Sequence, residues 1–201
     1  MKKIAIVDVG IGNVTSIARA VENIGHYPVL VTKPCESHFD FIIIPGAGSA
    51  GYYLHRLHSS GMATFIKQSI EEKINVLGIC LGMQILGRNI EEDGGVQGLN
   101  VLPFDVVANK RCALNNSHTG WENMHEVCDL NLSEATANNK QRLYYNHRYS
   151  CKLYKHESSV TYINNKSDAV AAMHVDNIFV TQFHPEKSQK FGINILKEIL
   201  A

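Results

Sequence analysis

The chain has no excess of charge of either sign. Its 201 residues contain 19 Lys and Arg against 19 Asp and Glu, so the formal net charge at pH 7 is zero. A nucleic-acid-binding protein usually carries a basic patch, and a disordered acidic tail appears as a block of like charge. We therefore expect no nucleic acid as a partner and no disordered acidic tail.

Long hydrophobic runs are also missing. No apolar stretch approaches the roughly 20 residues that a transmembrane helix requires. Met1-Lys2-Lys3 leads directly into a short strand-like segment, which is too short for the apolar region of a signal peptide. We expect a cytoplasmic protein without a membrane partner, and a chain of this length suits one domain over residues 1–201 with a sizeable core.

Paired cysteines and metal-ligand motifs are missing as well. Five cysteines occur without Cys-x-x-Cys spacing, namely Cys35, Cys80, Cys112, Cys128 and Cys151. An odd, unpaired set fits a reducing compartment better than a disulfide scaffold or a zinc site. His55 and His58 have an i, i+3 spacing, but no third ligand lies near them in the sequence. We expect no metal and no cofactor.

The sequence does contain a cysteine flanked by glycines at the end of an apolar stretch. Cys80 follows the strand-like residues 75–79 and precedes the helix-like residues 81–87. Gly78 and Gly82 permit the tight strand-to-helix turn of a nucleophile elbow. The free N–H groups at the start of a helix lower the pKa of a thiol placed there and make it nucleophilic. The alternative is a buried structural thiol, although such a thiol needs no flanking glycines.

A second motif follows the strand-like residues 177–183. His184-Pro185-Glu186 would place the imidazole and the carboxylate on the same side of an extended chain, so that Glu186 orients His184. Pro185 stiffens the link between them. Together with Cys80, this motif indicates a Cys–His–Glu triad for acyl transfer from a side-chain amide. Alone, the motif would also fit a turn at the end of a strand.

The order of strand and helix patterns predicts an α/β fold with a mostly parallel central sheet flanked by helices. The first half alternates strands at 3–8, 28–31, 41–44 and 76–79 with helices at 13–24 and 63–74. From about residue 101, Asn-rich turns predict an added antiparallel section. It contains strands at 158–163, 169–174 and 177–182, with a hairpin turn at Asp176-Asn177, and a terminal helix follows at 189–200. Ligands of parallel sheets bind at the carboxyl ends of the strands.

Two segments near those ends supply further chemistry. An oxyanion formed in acyl transfer needs two preorganised N–H donors, and the N–H of Leu81 directly follows the nucleophile. The loop Pro45-Gly46-Ala47-Gly48 is expected to supply the second donor, because its glycines permit close backbone approach. A plain strand-to-helix turn is the alternative for this loop. Gln84 lies one helical turn after Cys80, where its amide could face the same pocket.

These motifs resemble the signatures of class I (triad) glutamine amidotransferases, in residues 78–84 (GICLGMQ) and 183–187 (FHPEK). Other segments are similar to one branch of that family, the HisH-type glutaminase subunits of imidazole glycerol phosphate synthase. These segments are 8–13 (DVGIGN), 45–48 (PGAG), Gly120-Trp121 and 144–149 (YYNHRY). The resemblance spans residues 2–200 and implies a flavodoxin-like amidotransferase fold that hydrolyses L-glutamine to glutamate and ammonia.

The resemblance also implies roles for individual residues around the triad. The Ala47 N–H, beside Gly46, would complete the oxyanion hole, in a loop that similar enzymes reorient. Gln84, Glu92 and Gly48 would contact the amino-acid part of glutamine. For Glu92, a solvated turn carboxylate is the alternative.

The branch implied by the resemblance works with a second subunit. Ammonia released into neutral water becomes ammonium and loses its nucleophilicity, so a glutaminase that feeds a synthesis needs a shielded route to the acceptor. In the family the partner is a HisF-type (β/α)8 barrel cyclase of histidine biosynthesis. The resemblance places five residues at the interface or channel, namely Gly10, Asn13, Trp121, Tyr144 and Lys187. For Asn13 the alternative is a helix N-cap, and for Trp121 it is a core position.

Departures from the family pattern fall on the lid and on the partner-facing segments. Val9 replaces a Tyr, Glu122 replaces an Asn, and residues 144–149 read YYNHRY where the family has YFVHSY. Arg148, in place of a small polar residue, fits an altered interface. The departures leave open a paralogue that supplies ammonia to a sugar of a bacterial surface polysaccharide. A cysteine peptidase or γ-glutamyl hydrolase, and a non-catalytic module, are further alternatives, although the intact triad argues against the latter.

Overall fold

The structure is a computed structural model that describes residues 1–109, 118–123, 142–154, 161–164 and 169–201, with residues 161–164 described by their backbone alone. Cys112 and Cys128 lie outside the described residues, as do the Asn-rich turns at 115–116 and 138–139 and part of the strand predicted at 158–163. No helix among the described residues is long and apolar enough to cross a membrane.

The described part of the chain alternates between strands and helices only in its first part, and strands predominate from Asn89 to Thr181. The strands are β1 (Lys3–Val7), β2 (Tyr27–Val31), β3 (Phe41–Ile44), β4 (Asn75–Ile79), β5 (Asn89–Ile90), β6 (Val96–Gln97), β7 (Phe104–Ala108), β8 (His118–Asn123), β9 (Arg142–His147), β10 (Tyr149–Leu153), β11 (Thr161–Asn164), β12 (Val170–Val175) and β13 (Ile178–Thr181). The helices are α1 (Val14–Asn23), α2 (Ala50–Ser59), α3 (Met62–Glu71), α4 (Leu81–Gln84) and α5 (Gln189–Ile199), with short 3₁₀ turns at Glu92–Gly94 and Pro185–Lys187.

Eleven strands form one mixed sheet, in the order β2-β1-β3-β4-β13-β12-β10-β7-β5-β6, with β11 paired to β12. The strands from β2 to β13 in this order are parallel, whereas β12, β10 and β7 pair in antiparallel fashion. Strands β8 and β9 form a separate two-stranded antiparallel sheet. The predicted fold class, a mostly parallel sheet with an added antiparallel section, is confirmed.

Alternation along the buried strands explains why helices cover both faces of the parallel section. In β3, Ile42 and Ile44 belong to the core cluster that includes side chains of α2 and α3. Phe41 and Ile43, on the opposite face, belong to the cluster that includes side chains of α1 and α5. All four residues are at most 1% exposed, as expected for a strand that is apolar at every position.

Helix α2 was expected only as a possible helix carrying His55 and His58, without bounds. It begins at Ser49, whose hydroxyl accepts a hydrogen bond from the Tyr52 N–H, and it buries Ala50, Tyr53, Leu54 and Leu57. This i, i+3, i+4, i+7 spacing is helical, but intervening histidines and a glycine obscure it. Helix α4 is also shorter than expected, because it ends at Gln84 rather than Gly87.

The pairing of β13 with β4 positions the functional site. The two strands are parallel, and Thr181 lies opposite Ile79. The residues that follow each strand therefore emerge side by side at the carboxyl edge of the sheet. Cys80 directly follows β4, and Gln182 to His184 follow β13, so a long-range strand pairing brings together two motifs that lie about 100 residues apart.

Candidate active site

Cys80 occupies a strained turn between β4 and α4. Its φ of +55° and ψ of −108° are rare for a non-glycine residue, and its N–H donates a hydrogen bond to the Thr181 carbonyl at 2.7 Å. A Cβ atom on Gly82 would lie 2.0 Å from the Ile44 carbonyl oxygen, and one on Gly78 would lie 2.7 Å from the Gly82 oxygen. The glycines are therefore required by close backbone packing around the elbow.

Cys80, His184 and Glu186 come together as one buried group. Nδ1 of His184 lies 2.9 Å from Oε1 of Glu186, and their side chains are 4% and 0% exposed. Cys80 and His184 line the same cavity, and because Nδ1 of His184 is engaged by Glu186, Nε2 is the nitrogen left for the thiol. The spatial arrangement is that of a nucleophile, a base and a carboxylate that orients the base.

The surroundings of His184 favour its protonated form. Burial lowers the pKa of the imidazole, but hydrogen bonds with Cys80 and Glu186, and the charges of both groups, outweigh it and raise the pKa to about 9. The imidazole therefore carries a proton at neutral pH, beside the sulfur of Cys80. The site is therefore suited to nucleophilic attack by sulfur followed by proton donation to a leaving group.

Asn13 supports the triad carboxylate. Its Nδ2 donates a hydrogen bond to Oε1 of Glu186 at 3.1 Å, while its side chain makes no capping hydrogen bond to α1. Asn13 does occupy the N-cap position of α1, where its carbonyl accepts a hydrogen bond from the Ile17 N–H, but its side chain serves Glu186 instead of the helix. Oε2 of Glu186 is buried without a hydrogen-bond partner. Asn13 thus contributes to the orientation of Glu186, which sequence reasoning did not indicate.

The triad opens into a cavity of about 220 Å³. This volume is below the usual range for drug-sized ligands and indicates a small ligand. The lining residues come from the elbow, the loop after β3 and the segment that joins β9 to β10: Gly46, Ala47, Gly48, Cys80, Leu81, Gln84, Glu92, Asn146, His147, Arg148, Tyr149, His184 and Lys187.

The loop Pro45–Gly48 packs directly against the elbow. A Cβ atom on Gly46 would lie 2.1 Å from the Gly82 nitrogen, and the Tyr53 hydroxyl donates to the Pro45 carbonyl at 2.6 Å. Gly48 has a φ of +99°, which favours glycine. Because Ala47 and Leu81 both line the cavity, the two segments expected to form the oxyanion hole face the same space.

Gln84 and Gln182 form a buried amide pair behind the nucleophile. Nε2 of Gln84 donates to the Tyr149 carbonyl at 2.9 Å and to Oε1 of Gln182 at 3.0 Å, which engages both of its hydrogens. Nε2 of Gln182 in turn lies 3.7 Å from the Cys80 sulfur. Sequence reasoning missed Gln182, although a polar residue at the end of a buried strand was the available signal.

Glu92 forms part of the cavity wall rather than a solvated turn. Its Oε2 accepts a hydrogen bond from the Ala50 N–H at 2.9 Å, at the start of α2. Burial raises the pKa of the carboxyl; the Ala50 hydrogen bond and the Arg148 charge oppose this rise, whereas Asp93 adds to it. The ordinary turn carboxylate, the alternative considered for this residue, does not fit this position.

The segment from Asn146 to Tyr149 closes the cavity opposite the elbow. The Asn146 carbonyl oxygen lies 3.7 Å from the Cys80 sulfur, which is hydrogen-bond distance for a thiol donor. Nδ1 of His147 lies 2.8 Å from the Tyr149 carbonyl oxygen, so this nitrogen carries the proton. Burial lowers the pKa of His147 to about 4, and its ring is therefore neutral at pH 7.

Three of the residues expected at a partner interface lie together beside the triad. Trp121 is 39% exposed and packs edge-on against Tyr144, with ring centroids 5.6 Å apart. Nζ of Lys187 lies 5.8 Å from the Tyr144 ring, and that ring is 6.2 Å from the ring of His184. Gly10 has a φ of +82°, and its N–H donates a hydrogen bond to Oδ1 of Asp8.

Within the described ranges, no group of three or more His, Cys, Asp or Glu side chains is arranged to hold a metal ion.

Comparison with known proteins agrees with this geometry. The family model for glutamine amidotransferase class-I matches residues 5–200. The chain is 34% identical to imidazole glycerol phosphate synthase subunit HisH of Staphylococcus saprophyticus, over 98% of this chain and 93% of the relative. It is 33% identical to the HisH subunit of Methanocaldococcus jannaschii, over 98% of each chain.

Solved structures show the same fold at lower sequence identity. PurLQS from Thermotoga maritima matches with a TM-score of 0.71 and 19% identity, over 100% of this chain and 98% of the other. A crystal structure of a glutamine amidotransferase matches with a TM-score of 0.73 and 18% identity, over 98% of this chain and 97% of the other.

Proposed function

Because the chain belongs to the class I glutamine amidotransferase family, in its HisH branch, we propose that it is the glutaminase subunit of an imidazole glycerol phosphate synthase. The observation that carries this proposal is the buried Cys80–His184–Glu186 group, which opens into a small cavity beside Glu92. Membership of the HisH branch favours this function over the surface-polysaccharide paralogue, the peptidase and the non-catalytic module.

Hydrolysis of the glutamine side-chain amide follows from the positions of the three residues. The thiol transfers its proton to Nε2 of His184, and the Cys80 sulfur attacks the amide carbon. The N–H groups of Leu81 and of Ala47, with Gly46 beside it, stabilise the oxyanion that results. Collapse of this intermediate breaks the C–N bond, and His184 protonates the departing nitrogen. Ammonia leaves, and a glutamyl thioester on Cys80 remains.

Water completes the reaction. His184, now neutral, accepts a proton from the water that attacks the thioester carbon, and glutamate leaves as Cys80 regains its proton. Oε1 of Glu186 engages Nδ1 of His184 and thereby holds the imidazole in the tautomer that presents Nε2 to the sulfur. Asn13 fixes the carboxylate by its hydrogen bond to Oε1. Gln84, Gly48 and Glu92 position the amino-acid part of the substrate.

The ammonia has to reach an acceptor before water protonates it. The exposed group formed by Trp121, Tyr144 and Lys187 lies next to His184, where a partner could cover the exit from the cavity. We propose that Gly10 and Asn13 lie near the same interface. The partner that fits the branch is a HisF-type (β/α)8 cyclase subunit, and the complex would act in histidine biosynthesis in the cytoplasm.

Substitution of the nucleophile tests the proposal in the assembled complex. We expect Cys80→Ala to lower glutamine-dependent synthesis by about 10⁴-fold or more, because the thioester can no longer form. Synthesis driven by added ammonium should be retained, because the acceptor site belongs to the partner. Formation of imidazole glycerol phosphate is measured with each nitrogen source. Equal loss with glutamine and with ammonium would contradict the proposal.

A further inference from the structure

On the basis of the proposed glutaminase function, we infer that Arg148 binds the α-carboxylate of glutamine and thereby determines substrate specificity. The opposite charge of the substrate, its α-ammonium group, would lie against Glu92. Arg148 stands where the family has a small polar residue, so this contact would be particular to this chain.

We call the part of the cavity lined by Cys80 and His184 its chemical end, and the part lined by Glu92 and Arg148 its recognition end. At the chemical end, the Tyr144 ring lies 6.2 Å from the ring of His184. At the recognition end lies Glu92, held by the Ala50 N–H, with Arg148 near enough for its charge to act on that carboxyl. A substrate whose amide carbon reaches the sulfur therefore directs its other end toward Glu92 and Arg148.

Free glutamine is a zwitterion, so its recognition end needs one anionic and one cationic partner. Burying a carboxylate without a partner is costly, whereas a guanidinium binds it through two parallel N–H···O bonds. Glu92 provides the anionic group for the α-ammonium. A cation must also lie within reach of the same end of the ligand.

Among the described residues that line the cavity, Arg148 is the cation best placed for this contact. Lys187 also lines the cavity, but its Nζ lies 5.8 Å from the Tyr144 ring, at the chemical end. The proton of His184 is held between Cys80 and Glu186. His147 is neutral at pH 7, because burial lowers its pKa to about 4, and its Nδ1 proton is engaged by the Tyr149 carbonyl.

The backbone holds Arg148 at this position. Its carbonyl accepts a hydrogen bond from the Asn109 N–H at 3.0 Å. The residue lies between His147, which ends β9, and Tyr149, which begins β10. Both neighbours line the cavity, and both belong to strands. The backbone of Arg148 is therefore held by a strand on each side.

Paired substrates test the role of Arg148 in the complex with the barrel subunit. The kinetics of ammonia release are measured with L-glutamine and with L-glutaminamide, in which a neutral carboxamide replaces the α-carboxylate. For Arg148→Met we expect kcat/KM for glutamine to fall about 10- to 100-fold, the usual range for loss of a charged hydrogen bond, chiefly through a higher KM. The value for glutaminamide should stay within about twofold. For Arg148→Lys, kcat/KM for glutamine should lie between the wild-type value and the Arg148→Met value, because lysine keeps the charge but lacks the planar guanidinium.

Arg142 is an exposed arginine at the start of β9, the strand that precedes Arg148, and Arg142→Met is the matched control, which should behave like the wild type. Alkylation of Cys80 by iodoacetamide should proceed at the same rate in all variants, which shows that the elbow is intact. A proportional loss with both substrates would overturn the inference, because Arg148 would then only shape the segment. A wild-type complex that releases no ammonia from glutamine would contradict the proposed function itself.

Discussion

The backbone of Cys80 is held in a conformation that costs about 1–3 kcal/mol for a residue other than glycine. The Cys80 N–H donates a hydrogen bond to the Thr181 carbonyl, and Gly82 packs so closely against the Ile44 carbonyl that a Cβ atom would not fit between them. These contacts hold Cys80 in this conformation. The strain keeps the sulfur at the start of α4 and directed at His184. The reactivity of Cys80 therefore depends on the close backbone packing around the elbow.

The elevated pKa of His184 makes the stability of the protein depend on pH. The folded protein binds this proton with a pKa of about 9, whereas the unfolded chain has the ordinary value of 6.5. The stabilisation is complete below pH 6.5 and is lost as the pH rises through 9. We expect this group to contribute about 3 kcal/mol to the free energy of unfolding at pH 6 and almost nothing at pH 10.

Urea unfolding of the wild type and of His184→Gln, at pH 6 and at pH 10, measures this contribution. The wild type should lose more stability than the variant over this interval, and the difference isolates His184 from the other nine histidines. If both proteins lost the same free energy, the triad would not hold its proton in the way described.

At the scale of single residues, the reacting groups were easier to predict from the sequence than the groups that support them. Cys80, His184 and Glu186 belong to short motifs whose spacing carries chemical meaning. Asn13 and Gln182 contact the triad from other parts of the chain, and no local pattern links either residue to it. Their roles follow only from the pairing of distant strands.

The junction of β4, α4 and the loop after β3 is the element on which the site depends. Gly82→Ala would place a methyl group 2.0 Å from the Ile44 carbonyl oxygen. We expect the free energy of unfolding to fall by about 1–3 kcal/mol because the packed backbones must separate. Glutaminase activity of the complex should fall about 100-fold, because a displacement of about 1 Å misaligns the nucleophile.

Gly120→Ala is the control for this prediction, because a Cβ atom on Gly120 has no heavy atom within 4 Å. Its stability should remain within about 0.5 kcal/mol of the wild type. Thermal or urea unfolding and ammonia release report the two effects separately. A fully active, equally stable Gly82→Ala protein would show that the elbow tolerates a side chain.

Elements whose burial follows one regular period were predicted well, and the others were not. β3 is apolar throughout, β1 and β4 have no polar side chain after their first residue, and α1 has clear helical spacing, so local sequence determines both types of element. Helix α2 mixes buried Tyr53 and Leu57 with polar neighbours, and its spacing was overlooked. That β13 pairs with β4, rather than only with β12, is a long-range choice that no local period encodes.

At the scale of the whole molecule, Trp121 offers a test of the partner surface. It is 39% exposed beside Tyr144 and Lys187. We expect Trp121→Ala to weaken binding of the barrel subunit by about 30-fold, since a buried interface tryptophan commonly contributes about 2 kcal/mol or more. Calorimetry or fluorescence anisotropy with the purified cyclase subunit measures the dissociation constant.

Tyr27→Ala provides the matched control, because Tyr27 is also exposed but lies on the outer strand β2. Its dissociation constant should equal that of the wild type. Equal weakening by both substitutions, or none by Trp121→Ala, would place the interface elsewhere.

Strand β9 contributes both to the proposed docking surface for the partner and to the wall of the cavity. Tyr144 in β9 belongs to the proposed docking surface, and two residues further on, from Asn146, the chain forms part of the cavity wall. If bound glutamine orders this segment, it also changes the affinity for the cyclase, and the two binding free energies change by the same amount because thermodynamic coupling is reciprocal. Glutamine should therefore tighten the complex by the same factor by which the complex tightens glutamine. Such coupling confines the breakdown of a valuable nitrogen donor to moments when a recipient is in place.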